Sequence, residues 1–359
     1  MAFIISLIGF LIVLTPVVFF HELGHFWAAR RSGVTVEVFS VGFGPELFGL
    51  TDRHGTRWKF SALPLGGYVK MAGDEDAAST PSPDARNIKG SFQSVSLGAK
   101  AFIVAMGPIA NFILGIALIT MVYIGYGKSV TPTVVGDVLA DSAAAAAGIE
   151  PGDRIVSLNG RNVKYFNELR GIIFQNPGNT IPISIERGGR MLDLTITPDV
   201  IDDACIGVRY GRLGVVSQGG EFRTLGPGEA LVSASTDSFT MAIDMLRGIG
   251  RLVSGNANKG EIGGPVKIAE LSGQVVSRGV MEAIIFIAVI SINLGLVNLL
   301  PIPALDGGHL VFFGLEKIMG RPLDQKTMEI FMRVGFSLLM TLIIFLTLFD
   351  VGAVFTRQC

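Results

Sequence analysis

The chain has 359 residues, 49% of them hydrophobic and 16% charged, with a formal net charge of −1. Soluble domains carry roughly 25% charged residues; here the apolar residues are clumped into long runs, which excludes a plain string of soluble domains and predicts membrane spans. The charge balance gives no footing to nucleic acid as a partner, and two cysteines, Cys205 and Cys359, are too few for a disulfide framework or a zinc cluster.

Ala2 to Phe20 contains no charged residue and is long enough to cross a bilayer. A secretory signal has other flanks: here no basic residue precedes the run, and Arg30 and Arg31 follow it. His21-Glu22-Leu23-Gly24-His25 comes directly after the run. On a helix, residues four apart share a face, so both imidazoles can reach one zinc ion. Glu22 beside them is placed to take a proton from water. The pattern is short enough to arise by chance, and solvated histidines at the end of a span would also produce it. Ionisable groups within the last turns of a span are costly, which favours a functional role.

Residues 33–72 carry strand-like stretches, Thr35 to Phe39 and Trp58 to Phe60, about a polar turn at His54-Gly55. They predict a hairpin with His54 at its surface tip. An exposed strand edge can receive an unwound peptide by strand addition, though an ordinary hairpin cap would look the same. Segment 74–91, rich in Asp, Ala, Ser and Pro, reads as a flexible connector. Ala99 to Tyr126 is a second span whose one charge is Lys100. In residues 127–200, Ser142 to Gly160 reads as a short helix, a Pro-Gly turn, a strand and an Asn-Gly hairpin, and Thr180 to Thr197 adds alternating strands. Residues 201–280 read as an extended linker with an amphipathic helix at 228–254. Leu231, Ala234, Phe239, Ile243, Leu246 and Ile249 line one face of that helix.

In residues 281–359, the run Ala283 to Leu305 is a third, uncharged span, and Val334 to Phe349, beginning as early as Ile330, is a fourth. Pro301 and Pro303 break the third span, and Asp306 is the carboxylate at that break. Broken backbone at membrane depth is tolerated only where protein buries it or a cavity adjoins it. A catalytic zinc takes three protein ligands and a water. Asp306 is the candidate third ligand on chemistry and depth, and His309, three residues on, is its rival.

Basic residues mark the cytoplasmic side. Arg30, Arg31, Arg53, Arg57, Lys59, Lys70, Arg86 and Lys89 fall in 29–98, and Lys317, Arg321 and Lys326 in 307–330. Both termini and residues 127–280 are therefore expected outside, in the periplasm of a Gram-negative cell. Spans one and three then run in the same direction, which brings His21, His25 and Asp306 to one depth near the cytoplasmic face.

Four stretches together resemble the site-2 protease family, in its RseP-like bacterial branch. They are His21-Glu-Leu-Gly-His25, Leu65-Gly-Gly-Tyr-Val-Lys-Met71, Gly107-Pro-x-x-Asn111-Phe and Asn298-x-x-Pro301-x-Pro303-x-Leu-Asp306-Gly. Ser142 to Gly160 resembles a PDZ domain, without the Gly-Leu-Gly-Phe loop, for which Thr131 to Val138 is the candidate replacement. The resemblance implies a polytopic α-helical membrane protein of the bacterial inner membrane. It would have four transmembrane helices, a cytoplasmic-side membrane-associated β-hairpin and a periplasmic α+β PDZ domain. It implies one zinc ion per chain on His21, His25 and Asp306, with Glu22 catalytic. It implies a substrate-binding set of Asn298, Asn293, Pro301, Pro303, Gly67 and Tyr68. The expected substrates are single-span membrane proteins, typically anti-sigma factors already trimmed by another protease, and leftover signal peptides. Relatives often carry two PDZ domains and this chain shows one, so capture of a peptide C-terminus and exclusion of bulky substrates both stay open. A membrane scaffold with a decayed metal site would not explain the third ligand. A four-span transporter predicts internal repeats, and the two halves show none.

Overall fold

The computed structural model of the protein describes residues 2–74, 87–203, 208–254, 264–321 and 325–356. In chain order its elements are α1 (Ala2–Arg31), β1 (Val36–Thr51), β2 (Arg57–Met71), α2 (Leu97–Gly125), β3 (Lys128–Val130), β4 (Val135–Val138), α3 (Ala143–Ala146), β5 (Arg154–Leu158), β6 (Arg161–Asn162) and α4 (Phe166–Phe174). There follow β7 (Ile181–Arg187), β8 (Arg190–Ile196), β9 (Asp199–Asp203), β10 (Val208–Arg212), β11 (Val215–Ser217), β12 (Glu221–Arg223), α5 (Pro227–Val253), α6 (Pro265–Arg278), α7 (Val280–Leu299), α8 (Asp306–Met319) and α9 (Gln325–Thr356). They form two units. One comprises Met1–Met121, Leu231–Arg247 and Gly264–Val351, and the other centres on Val122–Ala230. The connector expected at 74–91 lies largely outside the described residues.

Among the described residues, four stretches are long and apolar enough to cross a membrane: Ile4–Arg31, Leu97–Gly125, Val280–Leu299 and Ile330–Asp350. The first helix does not stop at Phe20. It runs on through both histidines to Arg31, where two cations suit the negative end of the helix dipole. The third helix stops at Leu299, short of the expected Leu305. Pro301 has no N–H to donate, and proline disfavours helical backbone at the residue before it. The chain resumes as α8, a helix that the sequence did not reveal. Asp306 opens its first turn, where a carboxylate suits the helix dipole.

The hairpin is more folded than two strands. Phe39 pairs with both Val69 and Trp58, and Leu50 pairs with Trp58 from the far side. The rungs therefore run 67–71, 36–41, 57–60, 46–51. Phe39, Val41 and Val69 join Phe26, Ala29 and Ile103 in one buried cluster that seats this sheet on α1 and α2. At the turn, Arg30 of α1 pairs with Asp52, which also accepts from Trp58 Nε1 at 3.1 Å and from the N–H groups of His54 and Thr56. Burial opposes the charge on Asp52, yet these hydrogen bonds win and hold its carboxyl well below the usual range. Leu47, Phe48, Leu50 and Leu63 stay exposed at the far end of the sheet.

Two carboxylate and backbone contacts organise the other end of this unit. Asp350 of α9, almost fully buried, accepts from the N–H groups of Gly264 and Lys267 at 3.0–3.1 Å, which caps α6. Further along, Gly273 of α6 meets Gly9 of α1 backbone to backbone: a Cβ on Gly9 would lie 2.7 Å from Gly273 Cα.

In the second unit β6, β5, β7 and β8 form one sheet, packed by Ile155, Leu158, Ile183, Ile185 and Ile196 against α4's Leu169 and Ile173. Ser142 caps α3 by accepting from Ala145 N at 3.2 Å, and Asn159-Gly160 makes the tight turn from β5 to β6 with positive φ at both residues. Part of the extended linker expected over residues 201–280 is occupied by strands. β9 and β10 pair there, β11 pairs with β4, and β12 returns to β3. Each strand has at most five residues and its partner is often remote, so local pattern could not show the pairing. The candidate groove segment Thr131 to Val138 contributes β4 itself.

Asp153, fully enclosed, anchors the Pro-Gly turn. Arg187 Nε and Nη2 each donate to it at 2.7 Å, and Arg187 also reaches Gly148 O and Glu150. Burial raises the Asp153 pKa, but the Arg187 and Glu150 N–H bonds more than offset that and lower it. The stabilisation is therefore complete above the unfolded carboxylate's pKa of about 3.9 and fades as pH falls through the lower folded value. Arg187→Ala should cost this unit about 2 kcal/mol at neutral pH, since it strips hydrogen bonds from a buried charge. Hydrogen exchange on the intact protein should read this as roughly 30-fold faster opening at Ile155, whose N–H is held by Thr133 O. Unaltered exchange would show that the cluster carries no stability.

Candidate metal centre

α1 supplies His21 and His25 one turn apart, with their Nε2 atoms 3.2 Å from each other. The first turn of α8 supplies Asp306, with Oδ2 3.3 Å from His21 Nε2 and Oδ1 3.6 Å from His25 Nε2. One ligand atom from each residue falls within 4.8 Å of the others, and these three are the one such cluster among the described residues. His25 Nδ1–H donates to Ile103 O at 2.9 Å, which leaves the Nε2 lone pair facing the cluster. Asp306 Oδ2 is buried without a hydrogen-bond partner. An unpartnered carboxylate oxygen beside two imidazole nitrogens is a costly arrangement by itself and a suitable one for a divalent cation. Two nitrogens and one carboxylate are the donor set of an open, catalytic zinc site, so the residues present fit zinc.

Glycine makes the geometry reachable. A Cβ on Gly24 of α1 would lie 2.1 Å from Met106 O of α2, and a Cβ on Gly107 would lie 2.3 Å from His25 Nε2. α1 and α2 therefore touch backbone to backbone directly beneath the two rings. Ile103, Gly107 and Asn111, four residues apart, form one stripe of α2 along this contact. On the opposite side the chain turns sharply before Asp306. Ala304 adopts φ +75°, a left-handed conformation that a residue with a Cβ rarely takes.

Of the remaining predicted site residues, Asn298 and Gly67 come to the centre. Asn298 Nδ2 lies 3.4 Å from His21 Nε2. Gly67 of β2 passes so near α1 that a Cβ there would lie 2.9 Å from Glu22 Cγ. Tyr68 points elsewhere, stacking on Phe43 with Lys59 Nζ 5.2 Å from its ring centre. Pro303 packs against Gly335 of α9, and Pro301 is exposed, so both prolines shape the break. Among the described residues, no hydrogen bond joins Asn293 to the ligand cluster. His309, the rival ligand, lies outside that cluster, its ring 6.4 Å from the ring centres of Phe312 and Phe313. Gly107 and Asn111 belong to one of the four stretches that carry the family resemblance; their spacing of four, which sets them on one helix face, was the available signal for a role at this site.

A histidine pair with a glutamate between, completed by a carboxylate from another helix, defines a zinc-dependent metalloprotease, here carried on membrane-length helices. The chain belongs to Peptidase family M50, the site-2 proteases, whose family model matches residues 9–342. A relative from Rhizobium meliloti that bears a zinc-metalloprotease name is 41% identical over 361 residues, covering 96% of each chain. Metalloprotease MmpA of Caulobacter vibrioides is 36% identical over 380 residues, covering 96% of this chain and 94% of its own. A solved PDZ domain of an SdrC-like protein from Listeria monocytogenes matches 25% of this chain and 92% of its own, with 22% identity and a TM-score of 0.21.

Gly107→Ala should displace His25 and weaken zinc binding at least tenfold, measured by chelator competition on the purified protein. Gly98→Ala, where an added Cβ meets nothing within 4 Å, should leave affinity unchanged. Equal affinities in the two variants would contradict this account of the α1–α2 contact.

Proposed function

We propose that this metalloprotease cuts peptide bonds in or beside the membrane segments of single-span proteins, receiving the substrate as an extended strand. The observation that carries the reading is the contact between Gly67 and Glu22. It brings the outer rung of the hairpin, residues 67–71, against the carboxylate that does the chemistry. Among the described residues no other strand pairs with the free side of that rung. A helix hides its peptide bonds, so a substrate helix has to unwind, and strand addition stabilises the unwound form by main-chain hydrogen bonds. The exposed Leu47, Phe48, Leu50 and Leu63 suit a sheet whose far end contacts lipid.

His21, His25 and Asp306 would hold the zinc, which when bound would supply Lewis acidity toward a water and the scissile carbonyl. Glu22 takes the proton from the water as it attacks and returns it to the leaving amine. Asn298 offers its amide N–H to the substrate carbonyl or to the negative charge that develops on it. Charge distribution supports an inner-membrane protein with both termini outside and the site near the cytoplasmic face. The Val122–Ala230 unit is then a periplasmic PDZ domain, which admits a peptide C-terminus or screens out bulky substrates. Anti-sigma factors trimmed by a first protease, and remnant signal peptides, are the substrate classes that the family resemblance supports.

Glu22→Gln should lower cleavage of a single-span reporter by a factor of about 10³ while zinc content stays at the wild-type level. Membrane proteins trapped on that variant would identify the substrates. Full activity in Glu22→Gln would remove the mechanism, and loss of zinc together with activity would make Glu22 a structural residue.

A further inference from the structure

We infer that Asn111 is the positioning residue that fixes the ring tautomer of His21, with its amide oxygen accepting the proton on His21 Nδ1. The inference rests on His21 being a zinc ligand through Nε2, and it goes beyond that assignment by naming what holds the ring. His25 and His21 differ in this respect. His25 has its Nδ1 settled by a main-chain carbonyl, Ile103 O. Among the described residues, the hydrogen-bonding partner at His21 Nδ1 is the Asn111 side-chain amide, whose nitrogen lies 3.3 Å away. Asn111 is completely buried, so water cannot stand in for it. Its Oδ1 is buried too and has no hydrogen-bond partner.

These facts constrain one another. His21 Nε2 faces His25 Nε2, Asp306 Oδ2 and Asn298 Nδ2 within 3.2–3.4 Å, so Nε2 is the ligand atom and must present a lone pair. A neutral imidazole with a lone pair on Nε2 carries its proton on Nδ1. That N–H needs an acceptor, and an amide N–H cannot accept. A half-turn about the Cβ–Cγ bond of Asn111 exchanges the two amide atoms and sets the oxygen opposite Nδ1–H. The same step puts the otherwise unpartnered oxygen to use. The residue is well fixed for this task. Ser291 Oγ donates to the Asn111 main-chain oxygen at 2.8 Å, and Gly295 comes so near that a Cβ there would lie 3.2 Å from Asn111 Cβ. α7 thus clamps Asn111 from behind while α2 presents it to α1. Partners of this kind hold ligand rings in orientation, and their loss typically costs 10–100-fold in metal affinity.

The rival reading makes Asn111 a donor to Nδ1, or only a polar contact between helices. Two variants separate these. Asn111→Leu keeps the size and removes both polar atoms, whereas Asn111→Asp keeps an acceptor and loses the amide donor. Zinc dissociation constants are measured on full-length protein in detergent by competition with a chromophoric chelator, with His21→Ala as the reference for loss of a ligand. The inference expects roughly 10–100-fold weaker zinc binding for Asn111→Leu, and affinity for Asn111→Asp within about threefold of wild type. Wild-type affinity in Asn111→Leu would overturn it, and so would zinc loss in Asn111→Asp as large as in Asn111→Leu. Should Asn111→Leu not fold, the Asn111→Asp value decides alone: retention supports the acceptor role and loss overturns it. If His21→Ala binds zinc as tightly as wild type, the ligand assignment fails and the inference falls with it; if only the Asn111 variants match wild type, the inference alone fails.

Discussion

The close approach of α1 and α2, Gly24 against Met106 and Gly107 beneath the two histidine rings, is the constraint on which the catalytic half of the molecule depends. Lipid offers helices no hydrophobic gain for associating, so close packing through small residues and hydrogen bonds has to hold them together. Here the two backbones meet so tightly that any Cβ on Gly24 would overlap a main-chain oxygen of α2. That closeness brings Ile103 O within hydrogen-bond range of His25 and leaves room for both rings above Gly107. Larger residues would separate the helices and remove the bond that aims the ligand.

The second requirement is a carboxylate brought to the same place from a different helix. Burying Asp306 is unfavourable unless a cation or donors meet it. The proline break ends α7, the left-handed Ala304 turns the chain, and α8 begins at the depth of the histidines. Gly307 and Gly308 let this turn sit on the carbonyls of residues 299–302; a Cβ on Gly307 would lie 2.1 Å from Leu300 O. Backbone strain and an unpartnered oxygen thus gather at the point where the zinc ion is needed, as at other functional sites. The hairpin adds a third element, since Gly67 lets a strand edge reach Glu22.

The three members of the candidate metal cluster were readable in the sequence because each is marked by a local pattern. Two histidines four apart on an apolar run, and an aspartate at a proline break, each declare themselves within a dozen residues. The four membrane-length helices were readable for the same reason. What the sequence concealed depends on distant partners. Asp306-Gly-Gly-His309 has poor helix propensity, and α8 forms there because its first turn packs on the end of α7. Residues 265–278 are helical with a cap contributed by Asp350, more than eighty residues later. The short strands of 215–223 gain their order from β4 and β3, far earlier in the chain. Likewise Gly107 reads in sequence as a weak point of a helix, and only the position of α1 shows it to be the floor of the site.

Zinc stoichiometry tests the central claim most directly. Metal analysis of the purified full-length protein should give close to one zinc ion per chain, and His25→Ala and Asp306→Ala should each lose it while still yielding folded, membrane-inserted protein. An unaltered zinc content in Asp306→Ala, or none in the wild type, would contradict an account in which α1 and α8 meet to build one metal centre.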